Sequence, residues 1–319
     1  MNYAARLSPL ALLTLAGCAT TFHAGAPEGA VGVIAHRGAS AHAPENTLAA
    51  FAKALEMGAD WFELDCHLTR DGQLAVMHDG DLKRIAGSER RVAAMTMAEL
   101  KQIDAGSWFD PAFKGEPIPT LEESLDFAKG RIGVYLEVKS AAPDTKLMET
   151  LWGLAQNHTG DEQTLLRAMM VEIEKSRTPN LELTRKCLEA VKARRMRHQV
   201  VLQSFSPVVC VIALAEMPEL RTEFLGADDP EKPEQWAQFV EFGMRTGVHG
   251  FNISKDSVTA ERIAMFHNAG KTCAVWTVDE PEVMLDCVAK GADAVITNRP
   301  ALCITTLRDA GKRQKGAAT

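Results

Sequence analysis

The chain has 319 residues, a formal net charge of −7, 46% hydrophobic residues and 24% charged residues. That is length for one large core or two small ones, with the composition of an ordinary globular protein. The acidic balance argues against a nucleic-acid partner, which selects basic surfaces, and an anionic substrate would have to be met by locally placed cations.

The first element is a targeting segment. One cation, Arg6, precedes the apolar run from Pro9 to Ala16, which is too short to span a bilayer. It ends in Leu15-Ala16-Gly17-Cys18, which resembles the lipobox of bacterial lipoproteins. Residues 1–17 therefore read as a signal peptide, Cys18 as the lipidated residue and 18–30 as a flexible tether. The expected location is the bacterial cell envelope, anchored in a membrane and facing the periplasm. The other cysteines show no CxxC spacing, so a zinc site is not expected, and buried free thiols are.

From Val31 onward short apolar runs alternate with helical patterns, the mark of βα units. The predicted strands are Val31–Ala35, Trp61–Cys66, Leu74–Met77, Ile132–Val138, Val200–Gln203, Thr222–Leu225, Gly250–Ile253, Thr272–Trp276 and Ala294–Thr297. Nine is one more than a (β/α)₈ barrel needs. Asp71-Gly72 offers a two-residue turn that folds the third run back on the second, leaving eight parallel strands. Helices are expected over Glu45–Met57, Ala260–Asn268 and Pro281–Ala289, each punctuated by Pro or Gly. Two connections are long. A small insertion, 79–119, follows the hairpin, and a longer excursion, 140–198, carries at least two helical patterns, around Thr145–Gln156 and Leu181–Arg197. Both leave the carboxyl ends of strands, where barrel enzymes build their sites. The α/β barrel domain is expected over 31–308, with a disordered tail at 309–319.

Four polar clusters fall at predicted strand ends: His36-Arg37, Glu63-Leu64-Asp65, His78-Asp79 and Glu137-Val138-Lys139. Alternation puts Glu63 with Asp65 on one face, and Glu137 with Lys139. A two-residue turn at Asp71-Gly72 pairs residues whose numbers sum to 143, setting His78 opposite Asp65. Carboxylates on adjacent strands repel unless a cation lies between them, and an all-oxygen set suits Ca²⁺ or Mg²⁺. His36 and His78 titrate near neutrality and form an acid–base pair fit for displacement at a phosphodiester. Arg37 and Lys139 can neutralise phosphate oxygens.

His36-Arg37-Gly38-Ala39-Ser40 and Pro44-Glu45-Asn46-Thr47 resemble the opening motif of the glycerophosphodiester phosphodiesterase family. Gly58-Ala59-Asp60, Glu63-Leu64-Asp65, Asp71-Gly72, His78-Asp79, Glu137-Val138-Lys139, Trp276-Thr277-Val278 and Thr297-Asn298-Arg299-Pro300 continue the match over about residues 31–305. The resemblance implies a TIM barrel holding one divalent cation on Glu63, Asp65 and Glu137. It implies His36 and His78 as acid and base, Arg37 and Lys139 on phosphate, and glycerophosphodiester hydrolysis to sn-glycerol 3-phosphate and an alcohol. Phe205 and Trp276 are read as pocket walls. With Asn252, Gln203 and Ser204 beside them, the walls look polar enough for a small, deacylated substrate. Two alternatives stand beside this reading. One is a phospholipase D-like activity on lysophospholipids or sphingolipids, which an apolar channel would signal. The other is a non-catalytic envelope lipoprotein that binds phosphodiesters.

Overall fold

The computed structural model describes residues 30–313, so the lipobox and Cys18 lie outside the described residues. The elements follow in chain order: β1 (Gly32–Ala35), α1 (Leu48–Glu56), β2 (Trp61–Leu68), β3 (Leu74–Val76), β4 (Asp81–Leu82), α2 (Lys83–Ala86), β5 (Ser88–Arg91), α3 (Met97–Leu100) and α4 (Leu121–Ala128). Then come β6 (Gly133–Val138), α5 (Thr145–Asn157), α6 (Glu162–Ser176), α7 (Pro179–Arg194), β7 (Val200–Ser204), α8 (Pro207–Glu216) and β8 (Thr222–Gly226). The chain closes with α9 (Pro233–Thr246), β9 (Gly250–Ser254), α10 (Ala260–Asn268), β10 (Thr272–Trp276), α11 (Pro281–Ala289), β11 (Ala294–Thr297) and α12 (Pro300–Asp309).

The parallel strands run in the order β1-β11-β10-β9-β8-β7-β6-β2, and β1 pairs with β2 to close a (β/α)₈ barrel. Two apolar clusters fill the space between barrel and helices, one built around Phe251, Phe266 and Phe242, the other around Phe51, Phe62 and Leu64. Inside the barrel, Ile34, Tyr135, Val201, Ala274 and Ile296 pack against one another. Strand alternation then sends every second residue inward. His36, Glu137, Gln203 and Trp276 are each two residues beyond one of these core side chains, so the apolar interior layer is capped by a polar one at the carboxyl end.

β1 pairs with only Trp61 and Phe62 of β2, which leaves the far half of β2 free to take β3 antiparallel. The hairpin is present but its turn is not the expected one. Thr69 N donates to Gln73 O (2.9 Å) and Gly72 N to Thr69 O (3.0 Å), closing a three-residue loop, Arg70-Asp71-Gly72, with Gly72 at φ 71°. Such a loop ends in a left-handed residue. The extra loop residue shifts the register to Cys66↔Val76 and His67↔Ala75, so Asp65 lies opposite Met77 rather than His78. A one-residue slip exchanges faces. His78 nevertheless reaches the site, because the strand stops at Val76 and the chain bends away.

Other boundaries moved for local reasons. Helix α1 starts at Leu48 rather than Glu45, because Asn46 takes a positive φ (58°) and the Thr47 side chain caps Ala50 N. The insertion folds on its own small cluster of Leu82, Val92, Met95, Leu100 and Ile118. The excursion holds three helices, the third being α6, capped by Asp161 and buried along Leu165, Met169 and Ile173. The described part of the C-terminal segment is not a free tail: Arg313 is buried and its guanidinium grips Asp60 at 2.6 and 2.7 Å. The six described cysteines are buried free thiols. Among the described residues no helix is long and apolar enough to cross a membrane.

Candidate active site

Immediately after β1 the backbone takes two positive φ values in succession, at Arg37 (55°) and Gly38 (81°). A Cβ on Gly38 would lie 2.6 Å from Ala50 Cβ, so glycine is required. The bend aims the Arg37 N–H at Glu63 Oε2 (2.8 Å) and carries the His36 ring over the barrel mouth.

Glu63, Asp65 and Glu137 form a buried triad whose nearest oxygens all lie within 4.8 Å of one another. Parallel pairing of β2 with β6 sets Asp65 beside Glu137, and Glu63 lies two residues back on the same face. Burial, then Asp65 and Glu137, raises the Glu63 carboxyl well above its ordinary range. Burial, then Asp65, pushes Glu137 up to about 7. Burial would raise Asp65 too, but Lys139 and Arg37 beside it hold it down to about 2. Asn46 Nδ2 donates to Asp65 Oδ2 (2.8 Å) and fixes that carboxylate.

Two cations meet the triad. Lys139 Nζ stands 2.7 Å from Glu137 Oε1 and 3.2 Å from Asp65 Oδ1. Arg37 Nη1 bonds Glu45 Oε1 (3.0 Å), while Arg37 Nε, 3.5 Å from Asp65 Oδ2, is buried with no hydrogen-bond partner among the described residues. Two cations do not neutralise three carboxylates, and this residual repulsion adds to burial in raising Glu63 and Glu137. An all-oxygen, buried, charge-deficient set fits a hard divalent cation.

The histidines are oriented by partners that sequence reading did not single out. His36 Nδ1 lies 2.8 Å from Asn298 Oδ1. Asn298 cannot be flipped, since its Nδ2 donates to Asp279 Oδ2 (2.6 Å) and a carboxylate only accepts. His36 Nδ1 must therefore carry hydrogen, leaving Nε2 with its lone pair. Burial, then Arg37, lowers the His36 pKa to about 4, so the neutral ring prevails at physiological pH. His78 Nδ1 meets Asp79 Oδ1 at 2.8 Å, and Arg84 Nε holds the other oxygen of Asp79 at 2.7 Å. His67 Nε2 supports the His78 carbonyl at 3.0 Å.

These residues line a cavity of about 170 Å³ together with Gln203, Phe205, Leu225 and Trp276. Six of the seven charged or titratable residues named from the sequence, His36, Arg37, Glu63, His78, Glu137 and Lys139, line this mouth, as do both aromatics, while the buried Asp65 meets it through Lys139 Nζ at 3.2 Å. Phe205 and Trp276 meet edge to face, with ring centroids 5.5 Å apart, and Trp276 Nε1 is fixed on Asn252 O at 3.0 Å. Asn252 and Ser204 do not serve as polar walls: Asn252 Nδ2 is spent on Gln203 Oε1 and Ser204 Oγ on Val138 O. Asn298 sits in the noted motif Thr297-Asn298-Arg299-Pro300, and Asp279 directly follows the noted Trp276-Thr277-Val278. Their role could not be read there, because it depends on β10 and β11 meeting β1 around the barrel.

The family model for the glycerophosphoryl diester phosphodiesterase family matches residues 36–302. A glycerophosphodiester phosphodiesterase of Caldanaerobacter subterraneus subsp. tengcongensis is 30% identical over 279 residues, 88% of this chain and 98% of that one. The Bacillus subtilis protein YhdW is 50% identical over 107 residues, 34% of this chain and 44% of YhdW. Among solved structures, a phosphodiesterase of Oleispira antarctica in complex with the product sn-glycerol-3-phosphate aligns with a TM-score of 0.68 and 25% identity, covering 88% of this chain and 97% of that one. With the match running from His36 through every residue of the mouth, the chain belongs to the glycerophosphoryl diester phosphodiesterase family.

Proposed function

We propose that this barrel hydrolyses glycerophosphodiesters to sn-glycerol 3-phosphate and an alcohol, with the buried Glu63–Asp65–Glu137 triad as the observation that carries the reading. Glu63, Asp65 and Glu137 would hold one divalent cation, Ca²⁺ or Mg²⁺. When bound, such an ion offsets charge on the phosphoryl oxygens. Arg37 and Lys139 supply the remaining positive charge.

The partners of the two rings support a division of roles. His36, neutral and with Nδ1–H held by Asn298, presents Nε2 to take the proton of the attacking hydroxyl. His78, held at Nδ1 by the Asp79 carboxylate, would act in its doubly protonated form, giving the Nε2 proton to the leaving oxygen. Phe205 and Trp276 wall the cavity and exclude water from one side of the phosphate. Turnover of glycerophosphocholine, followed as released sn-glycerol 3-phosphate with and without chelator, tests this. Turnover that needs no divalent ion, or none under any condition, refutes it.

We further propose an envelope location. The lipobox at Leu15–Cys18 supports lipidation of Cys18 and a periplasm-facing anchor.

A further inference from the structure

The excursion after β6 contributes a second cavity beside the first. It has a volume of about 580 Å³ and lies between α5, α9 and the end of β8. Its walls include Met148 and Trp152 from the excursion, Phe224 at the end of β8, and Phe239 and Phe242 from α9. Trp152 stacks toward Phe242 with ring centroids 6.4 Å apart, and Phe224 toward Phe239 at 4.6 Å. Gly226 makes room for this arrangement, since a Cβ there would lie 2.6 Å from the Phe239 ring. Glu149 is the one charged side chain among the lining residues, and no lining residue is cationic. Thr145, Gln235 and Gln238 add uncharged polar groups, but with no cation the lining offers nothing to hold a phosphate, and its aromatic and aliphatic majority suits a hydrocarbon.

The two cavities adjoin. Phe205 and Leu225 line both the phosphate mouth and the apolar groove. Phe205 is 48% exposed, a large aromatic side chain left at the boundary between them. A ligand whose phosphate sits by Arg37 and Lys139 therefore has an apolar trough starting one side chain away. Volume agrees, because small-molecule sites span roughly 300–1,000 Å³, and the groove is larger than the mouth that it adjoins.

We propose that this groove binds a single hydrocarbon chain of the substrate, so that the enzyme prefers a glycerophosphodiester carrying one acyl chain over the fully deacylated compound. This rests on the function proposed above and narrows its substrate class. It also revises the expectation of a small polar substrate, since the excursion supplies apolar walls that the strand ends do not. The chain can hang from the glycerol, as in a lysophospholipid, where the phosphate product would be the acylated glycerol phosphate, or from the leaving alcohol, as in a glycerophospho-N-acylethanolamine, where it would be sn-glycerol 3-phosphate itself. The hydrocarbon is common to both.

The test is a chain-length series on the intact protein with divalent cation present, kept below micelle-forming concentrations. One arm carries acetyl, butanoyl, hexanoyl, octanoyl or decanoyl on the glycerol of glycerophosphocholine. The other carries the same groups on the nitrogen of glycerophosphoethanolamine. Each methylene that leaves water contributes up to roughly four-fold in binding, so kcat/KM should climb at least about ten-fold from acetyl to octanoyl in one arm. The arm that climbs identifies where the chain is borne. In M148E the ratio of octanoyl to acetyl kcat/KM should collapse toward unity. The ratio cancels any general loss of folded enzyme. A flat series in both arms, with glycerophosphocholine still turned over, overturns this inference and leaves the parent reading intact. A climb that M148E leaves unchanged overturns the assignment to this groove. No turnover of any diester is the failure of the parent reading instead.

Discussion

Replacing Asn298 with alanine should slow the chemistry without touching the phosphate or the cation. Asn298 Oδ1 accepts from His36 Nδ1 at 2.8 Å, and Asp279 fixes the amide through Nδ2 at 2.6 Å and through the Asn298 N–H at 2.8 Å. In N298A the backbone contact survives, and the ring of His36 loses the acceptor that sets its tautomer and angle. The hydrogen bond alone accounts for about 0.5–1.5 kcal/mol, and losing the partner that orients a working group typically costs about 10- to 100-fold. We therefore expect kcat to fall about 10- to 100-fold, about 1.4–2.8 kcal/mol in barrier. KM for glycerophosphocholine and the affinity for divalent cation should hold, because Arg37, Lys139 and the triad are untouched. The Asn298 bond also raises the His36 pKa, so its loss should move the acid limb of kcat/KM to lower pH. The assay is a full pH–rate profile of both proteins with a melting curve beside it. Wild-type kcat in a folded N298A, or a fall in affinity with kcat unchanged, would refute the orientation argument.

H36A and H78A should each lower kcat by on the order of 10²–10⁴, and the double variant should lose less than the product of the single losses, because groups acting as a unit are not additive; wild-type turnover in either single variant removes that histidine from the mechanism. Metal-free protein should lose thermal stability as pH rises. Glu137 holds its proton up to about 7 when folded against an ordinary value of 4.5, so its contribution is full below the unfolded value and is lost as pH rises through about 7. Saturating divalent cation should flatten that dependence, and melting curves with and without chelator from about pH 4.5 to 8 measure it. C18S should abolish incorporation of labelled fatty acid and release or stall the protein, and unchanged labelling would refute the anchor.

Most of the fold was legible because each barrel strand is a short apolar run bounded by turn residues. The runs Thr272–Trp276 and Ala294–Thr297 match the structure residue for residue. The candidate site is legible for the same reason: period-two alternation forces Glu63, Asp65 and Glu137 onto the inner face of two neighbouring strands. The turn after Leu68 was misread, because Asp-Gly serves a two-residue loop or closes a three-residue one. The choice hangs on the Thr69–Gln73 backbone pair, which no local signal announces. Asn298 and Asp279 were unreadable as partners of His36, since they lie more than two hundred residues away and meet it only when the barrel closes. The groove was invisible because its walls come from α5, β8 and α9, each of which looks like ordinary core when taken alone.

On the proposed function, one divalent cation held by the triad is needed to hydrolyse a glycerophosphodiester. Calorimetric titration of chelator-stripped protein with Ca²⁺ and with Mg²⁺, paired at each point with sn-glycerol 3-phosphate release from glycerophosphocholine, tests it most directly. The account predicts one binding site per chain, activity that rises in step with occupancy, and loss of both in E63Q. Full turnover in the stripped protein, or tight binding and wild-type activity in E63Q, would contradict it.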